Sequence, residues 1–401
     1  MRIAMISEHA SPLAALGGTD AGGQNAHVAE LSAALAGQGH EVRVYTRRDD
    51  PDPPPVVGID GYQVVHVPAG PAEPVAKDDL LPYMGDFAEW MAADWRTWLP
   101  DVAHAHFWMS GLAAVTAGRA CEVPVVQTYH ALGSVKRRHQ GAADTSPKHR
   151  IAYERQLGRA VDRVIVQCQD EIRELLLLGL PRTGMTLVPS GVNTERFRPD
   201  GPAEPRTGRA RILSVGRLVE RKGFEDLIRA MVHVPGAEAV IVGGRQEDEP
   251  YAHRLRELAE RCRVADRVRL VGAVPAADMP RWYRSADVLA AAPWYEPFGL
   301  TPLEAMACGV PVVASAVGGL TDTVVDGVTG DLVPARDPRA LGVALRRLIT
   351  DDVRRVSYAA AALDRAGHSY SWRRVATQLA AVYAAVAGLT LAGDATREAV
   401  A

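Results

Sequence analysis

Two carboxylates stand in an otherwise apolar stretch: Glu296 and Glu304 of EPFGLTPLEAMACG (296–309), with seven residues between them. Thr301-Pro302-Leu303-Glu304 reads as a helix start. Thr301 would be the N-cap, Pro302 the first helical residue and Glu304 the far member of a capping box, a role that needs no ligand. Glu296 has no such explanation. It precedes the turn among Trp294, Tyr295, Pro297 and Phe298, and a carboxylate in apolar surroundings needs a partner. An ionised carboxylate accepts hydrogen bonds from two vicinal hydroxyls, so a sugar would serve.

A second constellation carries cations. In SVGRLVERKG (214–223) a buried strand ends at Gly216, Arg217 follows, and Lys222 stands five residues later. A guanidinium fork and an ammonium point charge at a sheet's carboxyl edge suit a diphosphate. The alternative is solvated surface charge, which fits Arg221 better than Arg217. A third motif, GGTDAGGQN (17–25), lies between the first strand and its helix. Gly22 and Gly23 leave amide N–H groups open to an anion at the helix start. The loop is not GxGxxG and makes no tight strand-to-helix turn, which argues against an NAD-type dehydrogenase.

The elements that would position these residues alternate along the chain. Strands are expected at 2–7, 41–47, 63–67, 102–106, 124–128 and 163–167. A second series follows at 210–216, 237–244, 267–272, 288–292 and 311–315. Helices fall at 22–40 and 223–233, and an amphipathic one at 370–386. This is the pattern of α/β architecture with parallel sheets. At 401 residues the chain is longer than one core usually serves. The expected division is an N-terminal domain 1–195, a C-terminal domain 196–369 and a terminal helix 370–390. Two doubly wound Rossmann-like sheets facing a cleft would offer strand edges and helix N-termini to phosphates.

Composition excludes several classes. Hydrophobic residues make up 47%, charged residues 23%, and the net charge is −3, which gives no reason to expect nucleic acid or stable membrane insertion. Cys121, Cys168, Cys262 and Cys308 lie far apart, as suits reduced thiols in a cytoplasmic protein. Asp49–Asp50, Asp78–Asp79 and Asp351–Asp352 read as surface turns or caps. His104 and His106 alternate toward one face of a strand without an evident Cys or carboxylate partner, so no metal site and no cofactor is expected.

Taken in order, GGTDAGGQN, HAHFWMSG, QTYHALGSVKRRHQG, VGRLVERKG and EPFGLTPLEAMACGVPVVASAVGGL resemble the GT-B retaining glycosyltransferases of family 4 over roughly residues 1–390. Within that family the nearest groups are the inositol-phosphate N-acetylglucosaminyltransferases of the mycothiol pathway and the sucrose-phosphate synthases. The resemblance implies transfer of a sugar from a UDP- or GDP-linked donor to a small polar acceptor, by front-face attack and without metal. It implies that Glu296 and His130 meet the donor sugar, Glu304 the ribose, and Arg217 and Lys222 the diphosphate. Backbone around Gly216, Phe298, Gly299 and Leu300 would assist, with Gly22 and Gly23 from the other domain and the base near Val274. For the acceptor it implies Asn25, Lys77 and Arg150, with Lys136 nearby. Phe107 and Ala131 stand where the mycothiol enzymes carry hydroxyls, so an unphosphorylated acceptor is an alternative to inositol phosphate. A nucleotide-sugar epimerase and a non-catalytic nucleotide-sugar sensor are the rival classes, and a homodimer is left open.

Overall fold

The computed structural model describes residues 1–14, 22–244 and 250–389. Positions 17–21 of the first glycine-rich loop and residue 390 of the terminal segment lie outside the described residues. Two compact units form. One contains the first sheet together with the segment from Trp372 onward, and the other spans Ser190–Ser371. The divisions thus follow Pro189 and Ser371, against 195 and 369 in the sequence reading.

In the first unit the strands are β1 (Arg2–Ile6), β2 (Glu41–Arg47), β3 (Val56–Ile59), β4 (Tyr62–Val67), β5 (Val102–His106), β6 (Val125–Thr128), β7 (Arg163–Val166) and β8 (Met185–Leu187). Their spatial order is β3-β4-β2-β1-β5-β6-β7-β8. The sheet is parallel as expected, with one added antiparallel pair, β3 with β4, at its edge. The physical reason is Asp60-Gly61: both residues have positive φ, 47° and 82°, the geometry of a tight hairpin. The second unit holds β9 (Ala210–Val215), β10 (Ala237–Val242), β11 (Val268–Gly272), β12 (Val288–Ala291), β13 (Val312–Ser315) and β14 (Gly330–Val333), all parallel, in the order β11-β10-β9-β12-β13-β14. Each sheet reverses its winding once, between β1 and β5 and between β9 and β12. Ligands of doubly wound sheets bind beyond the carboxyl ends of the strands at such points. Both sets of candidate residues lie there.

Strands β3, β8 and β14, of three or four residues at the sheet edges, were not expected from the sequence. The helix expected over 22–40 runs from Gly23 to Ala36, with Val28, Leu31 and Leu35 fully buried. The helix expected over 370–386 runs from Trp372 to Val386; a separate helix, Asp352–Tyr370, precedes it and ends where Ser371 adopts extended backbone. After that break Trp372, Val375, Leu379 and Tyr383 enter the core of the first unit beside Ile3, Met5, Val28 and Leu31. The Tyr383 hydroxyl pairs with His104 Nδ1 at 2.5 Å, and His104 Nε2 pairs with Thr128 Oγ1 at 2.9 Å. Tyr383→Phe keeps the ring and leaves His104 Nδ1 buried without its partner. It is expected to cost about 1–3 kcal/mol, read as a lowered urea midpoint with an unchanged slope.

Candidate active site

Strand β9 delivers the cationic loop. Gly216 turns the chain at φ 158°, its N–H donating to Val242 O at 3.0 Å. A 3-10 turn, Glu220–Lys222, follows and closes at Gly223, φ 70°. A Cβ on Gly223 would lie 1.8 Å from Ala292 O, so only glycine lets this loop press against the end of β12. Beyond β12, Trp294 N donates to Arg221 O at 2.8 Å. These backbone contacts carry Lys222 to Glu296: its Nζ donates to Oε2 at 2.5 Å. Arg221 Nη1 lies 3.8 Å from the same oxygen, with its guanidinium 5.3 Å above the Tyr295 ring.

The pair is largely withdrawn from water, at 18% and 14% side-chain exposure. Burial alone would raise the Glu296 carboxyl; Lys222, Arg221 and Arg217 more than reverse it and hold the group below the usual carboxylate range. Lys222 is drawn below its ordinary value by burial first, then by the like charges of Arg221 and Arg217, against the pull of Glu296. Arg221, read from sequence as surface charge, therefore belongs to this cluster.

The loop bearing Glu296 rests on two further glycines. A Cβ at Gly318 would lie 2.1 Å from Glu296 O, and one at Gly319 would lie 2.6 Å from Phe298 Cα. Gly319 N donates to Glu296 O at 3.0 Å. The sequence signal for this support was present in VGGL (317–320), which the reading quoted without giving it a role.

Glu304 requires a correction. The helix is Leu300–Ala307 and its N-cap is Gly299, at φ 90°. Thr301 and Pro302 are thus already inside the first turn, and the expected Thr301–Glu304 capping box does not form. The left-handed turn available to Gly299 starts the helix earlier than the Thr-Pro signal suggested. The Glu304 carboxylate instead accepts from the Tyr283 hydroxyl at 2.5 Å, and burial followed by Glu304 raises the Tyr283 phenol. Ser214, Lys222, Ala292, Glu296, Gly299 and Thr301 line one small pocket. Phe298 is buried and Leu300 half-buried; Val274, past the end of β11, packs at the edge of the core containing Leu213 and Val240.

The first unit has its own cluster at the carboxyl ends of β5 and β6. Phe107 follows β5 at φ 80°, and His130 stands two residues beyond β6 at φ 60°. Bulky residues in this region of backbone space carry strain, which concentrates at functional sites. Arg150 is buried. Its Nε donates to Glu154 Oε1 at 2.8 Å, Nη2 to Ala131 O at 2.7 Å and Nη1 to Ser146 Oγ at 3.2 Å. Its guanidinium lies 5.0 Å from the Phe107 ring and Lys77 Nζ 5.4 Å from it. Lys136 Nζ reaches Ser146 Oγ at 2.9 Å, Asp144 at 3.2 Å and Asp78 at 3.3 Å. Lys77, Phe107, Ala131, Lys136 and Arg150 are therefore brought together. Their acidic counterparts were missed, although Arg150 and Glu154 sit four apart on one helix.

At the start of the first helix Gly22 is the N-cap, and a Cβ there would meet nothing within 4 Å among the described residues. Gly23 is the first helical residue. Asn25 turns inward: Oδ1 accepts from Gly22 N at 2.9 Å and Nδ2 donates to Ser11 O at 2.9 Å. Its amide serves the turn. His104 and His106, expected to share one face of their strand without a Cys or carboxylate partner, meet further histidines there. Helix Gly23–Ala36 supplies His27, and the loop after β6 supplies His130, whose Nε2 lies 2.8 Å from His106 Nδ1. Glu8 and His9, paired at 2.7 Å beyond β1, complete this end of the sheet and were not singled out.

The Lys222–Glu296 pair sets a pH dependence. A carboxyl whose folded pKa is depressed stabilises the fold above its unfolded value and loses that contribution as pH falls through the folded one. The ordinary value is 4.5. Glu296→Gln is expected to be less stable than wild type at neutral pH, and the gap should narrow progressively below pH 4.5. Paired urea titrations across pH read both.

Residues 199–365 match the family "Glycosyl transferases group 1", and residues 21–196 match "Glycosyltransferase Family 4". The D-inositol 3-phosphate glycosyltransferase of Xylanimonas cellulosilytica is 38% identical over 96% of this chain and 96% of its own. That of Kineococcus radiotolerans is 36% identical, over 95% and 94%. Among solved structures, sucrose-phosphate synthase from Thermosynechococcus elongatus superposes with a TM-score of 0.88 at 31% identity, over 96% of this chain and 98% of that one. Anabaena HepE in complex with UDP-glucose shares the fold, with a TM-score of 0.75 at 18% identity over 96% of this chain and 100% of that one. The chain belongs to the group 1, family 4 glycosyltransferases and is a glycosyltransferase with the paired Rossmann-like domains of the GT-B class.

Proposed function

We propose that the protein transfers a sugar from a nucleoside-diphosphate sugar to a small polar acceptor, with retention of anomeric configuration and without a metal ion in the chemical step. The observation that carries this reading is the Lys222–Glu296 pair at the switch point of the second sheet, with Arg217 and Arg221 beside it. A donor brings both partners such a pair needs. Its diphosphate takes Lys222 and Arg217, and its sugar hydroxyls take Glu296. Glu304 meets the ribose. The base, uracil or guanine, is read near Val274 through main chain. As the glycosidic bond lengthens, negative charge grows on the leaving diphosphate. Fixed cations and the N–H groups of Phe298, Gly299 and Leu300 stabilise it there. The leaving phosphate accepts the acceptor's proton, so no protein nucleophile is required. Roles for Gly22 and Gly23 at the phosphate and for His130 at the sugar rest on the family resemblance alone.

One observation favours an acceptor without phosphate over the inositol 3-phosphate in the names of the relatives. The buried Arg150 is already matched by Glu154, and Lys136 by Asp78 and Asp144. Phe107 and Ala131 add no hydroxyl. A phosphate would have to share these cations with the carboxylates that already hold them, Glu154 buried and Asp78 and Asp144 half-buried. A neutral or amino-bearing polyol, such as an aminocyclitol, would not.

A donor-by-acceptor screen by mass spectrometry tests this, with UDP-GlcNAc, UDP-glucose and GDP-sugars against free inositol, inositol phosphate and aminocyclitols. Turnover is expected only with unphosphorylated acceptors, undiminished by EDTA, and product NMR should show the donor's anomeric configuration. A GlcNAc–inositol phosphate product would reverse the acceptor assignment, an inverted product the mechanism. Arg217→Ala is expected to lower kcat/KM by about 10²–10³.

A further inference from the structure

We propose that His27, His106 and His130 form a binding site for a zinc-like divalent cation, distinct from any requirement of the transfer chemistry. Three separate elements converge on it: the helix Gly23–Ala36, the last residue of β5, and the loop two residues past β6. One ring nitrogen of each lies within 4.8 Å of the other two. A tetrahedral zinc ion with Zn–N bonds of 2.0–2.1 Å requires about 3.3 Å between ligand atoms, so side-chain rotation of about an ångström closes the set.

Several features favour a cation here. His106 is fully buried and its Nε2 makes no hydrogen bond among the described residues, an arrangement that otherwise costs about 1–3 kcal/mol. Burial first, and the neighbouring rings second, hold all three imidazoles in the neutral form that ligates metals: His130 is pushed down to about 3, and His27 and His106 lie well below the ordinary range. The rings are also fixed from outside. Gln167 Nε2 lies 3.3 Å from His27 Nδ1, Trp372 abuts His27 edge-on at 5.1 Å, and His104 lies 4.2 Å from His106. Such supporting contacts orient ligands in metal sites. His130 is half-buried where its two companions are buried, so an ion reaches the trio from that side. Three imidazoles leave a fourth position for water, as in open zinc sites.

The chemistry selects its ligand: three neutral nitrogens without a carboxylate suit Zn²⁺, Co²⁺ or Ni²⁺ and not Mg²⁺ or Ca²⁺. Occupancy would also take His130 out of use. On the reading that His130 meets the donor sugar, which this consequence alone depends on, bound metal inhibits transfer.

The test uses the full-length protein stripped with chelator and dialysed against Zn²⁺, with metal content and X-ray absorption as the readouts. One zinc per chain with a nitrogen shell of three imidazoles is expected, together with a raised Tm. His27→Phe, and His27→Gln as a second variant should the first fold poorly, are expected to weaken zinc binding at least tenfold while metal-free transfer persists. Equal zinc retention by wild type and both variants, or none by wild type, would overturn the site. Stoichiometric zinc that leaves wild-type transfer unchanged would overturn the inhibition while the site stands, and failure of all transfer would indict the functional reading instead.

Discussion

Two opposite charges held 2.5 Å apart at the end of a buried sheet make the constraint on which the second unit is built. Neither Lys222 nor Glu296 is stable there alone, since removing one partner of a buried pair costs about 3–5 kcal/mol. Bringing them together demands that two loops approach more closely than side chains allow. Gly223 admits the loop after β9 to the end of β12, and Gly318 and Gly319 form the floor under Glu296. Gly299 then turns the chain into a helix whose first amides point to the same region. Four glycines, one ion pair and two arginines form a single device. Its charges are preorganised before any ligand arrives, which is what electrostatic catalysis requires.

The first unit follows a different electrostatic plan. Two of its cations, Arg150 and Lys136, are balanced within the protein by Glu154, Asp78 and Asp144, and burial first of all lowers the clustered His104, His106 and His130. Strain is placed on Phe107 and His130, at the ends of adjacent strands. The second unit thus presents concentrated positive charge, whereas the first presents a compensated polar surface. That contrast is the ground for proposing an acceptor without phosphate.

Much of this was legible in the sequence because it was local. Buried parallel strands show as apolar runs such as AVIV (239–242), and Arg217 and Glu296 stand two and five residues beyond the strands β9 and β12. The failures have physical causes too. Thr301-Pro302 is a sound helix-start signal, but Gly299 offered an earlier start that no propensity rule ranks above it. His27 and His130 lie about a hundred residues apart and meet only through the winding of β1, β5 and β6, so their pairing had no local signature. Arg221 looked like solvated charge because its partner is seventy-five residues away. Asp78 was hidden as a partner of Lys136 for the same reason, fifty-eight residues away, and β3 was marked only by the Asp60-Gly61 turn.

The proposed transfer requires donor binding to re-partner both members of the Lys222–Glu296 pair. Calorimetry with Glu296→Gln, comparing the nucleoside diphosphate product with the intact donor, tests it most directly. Removing the carboxylate frees Lys222 for phosphate and deletes the acceptor of sugar hydroxyls. The variant should therefore bind the bare diphosphate at least as tightly as wild type while losing affinity for the sugar-linked donor. Equal weakening of both ligands would contradict the account and reduce Glu296 to a structural counter-ion.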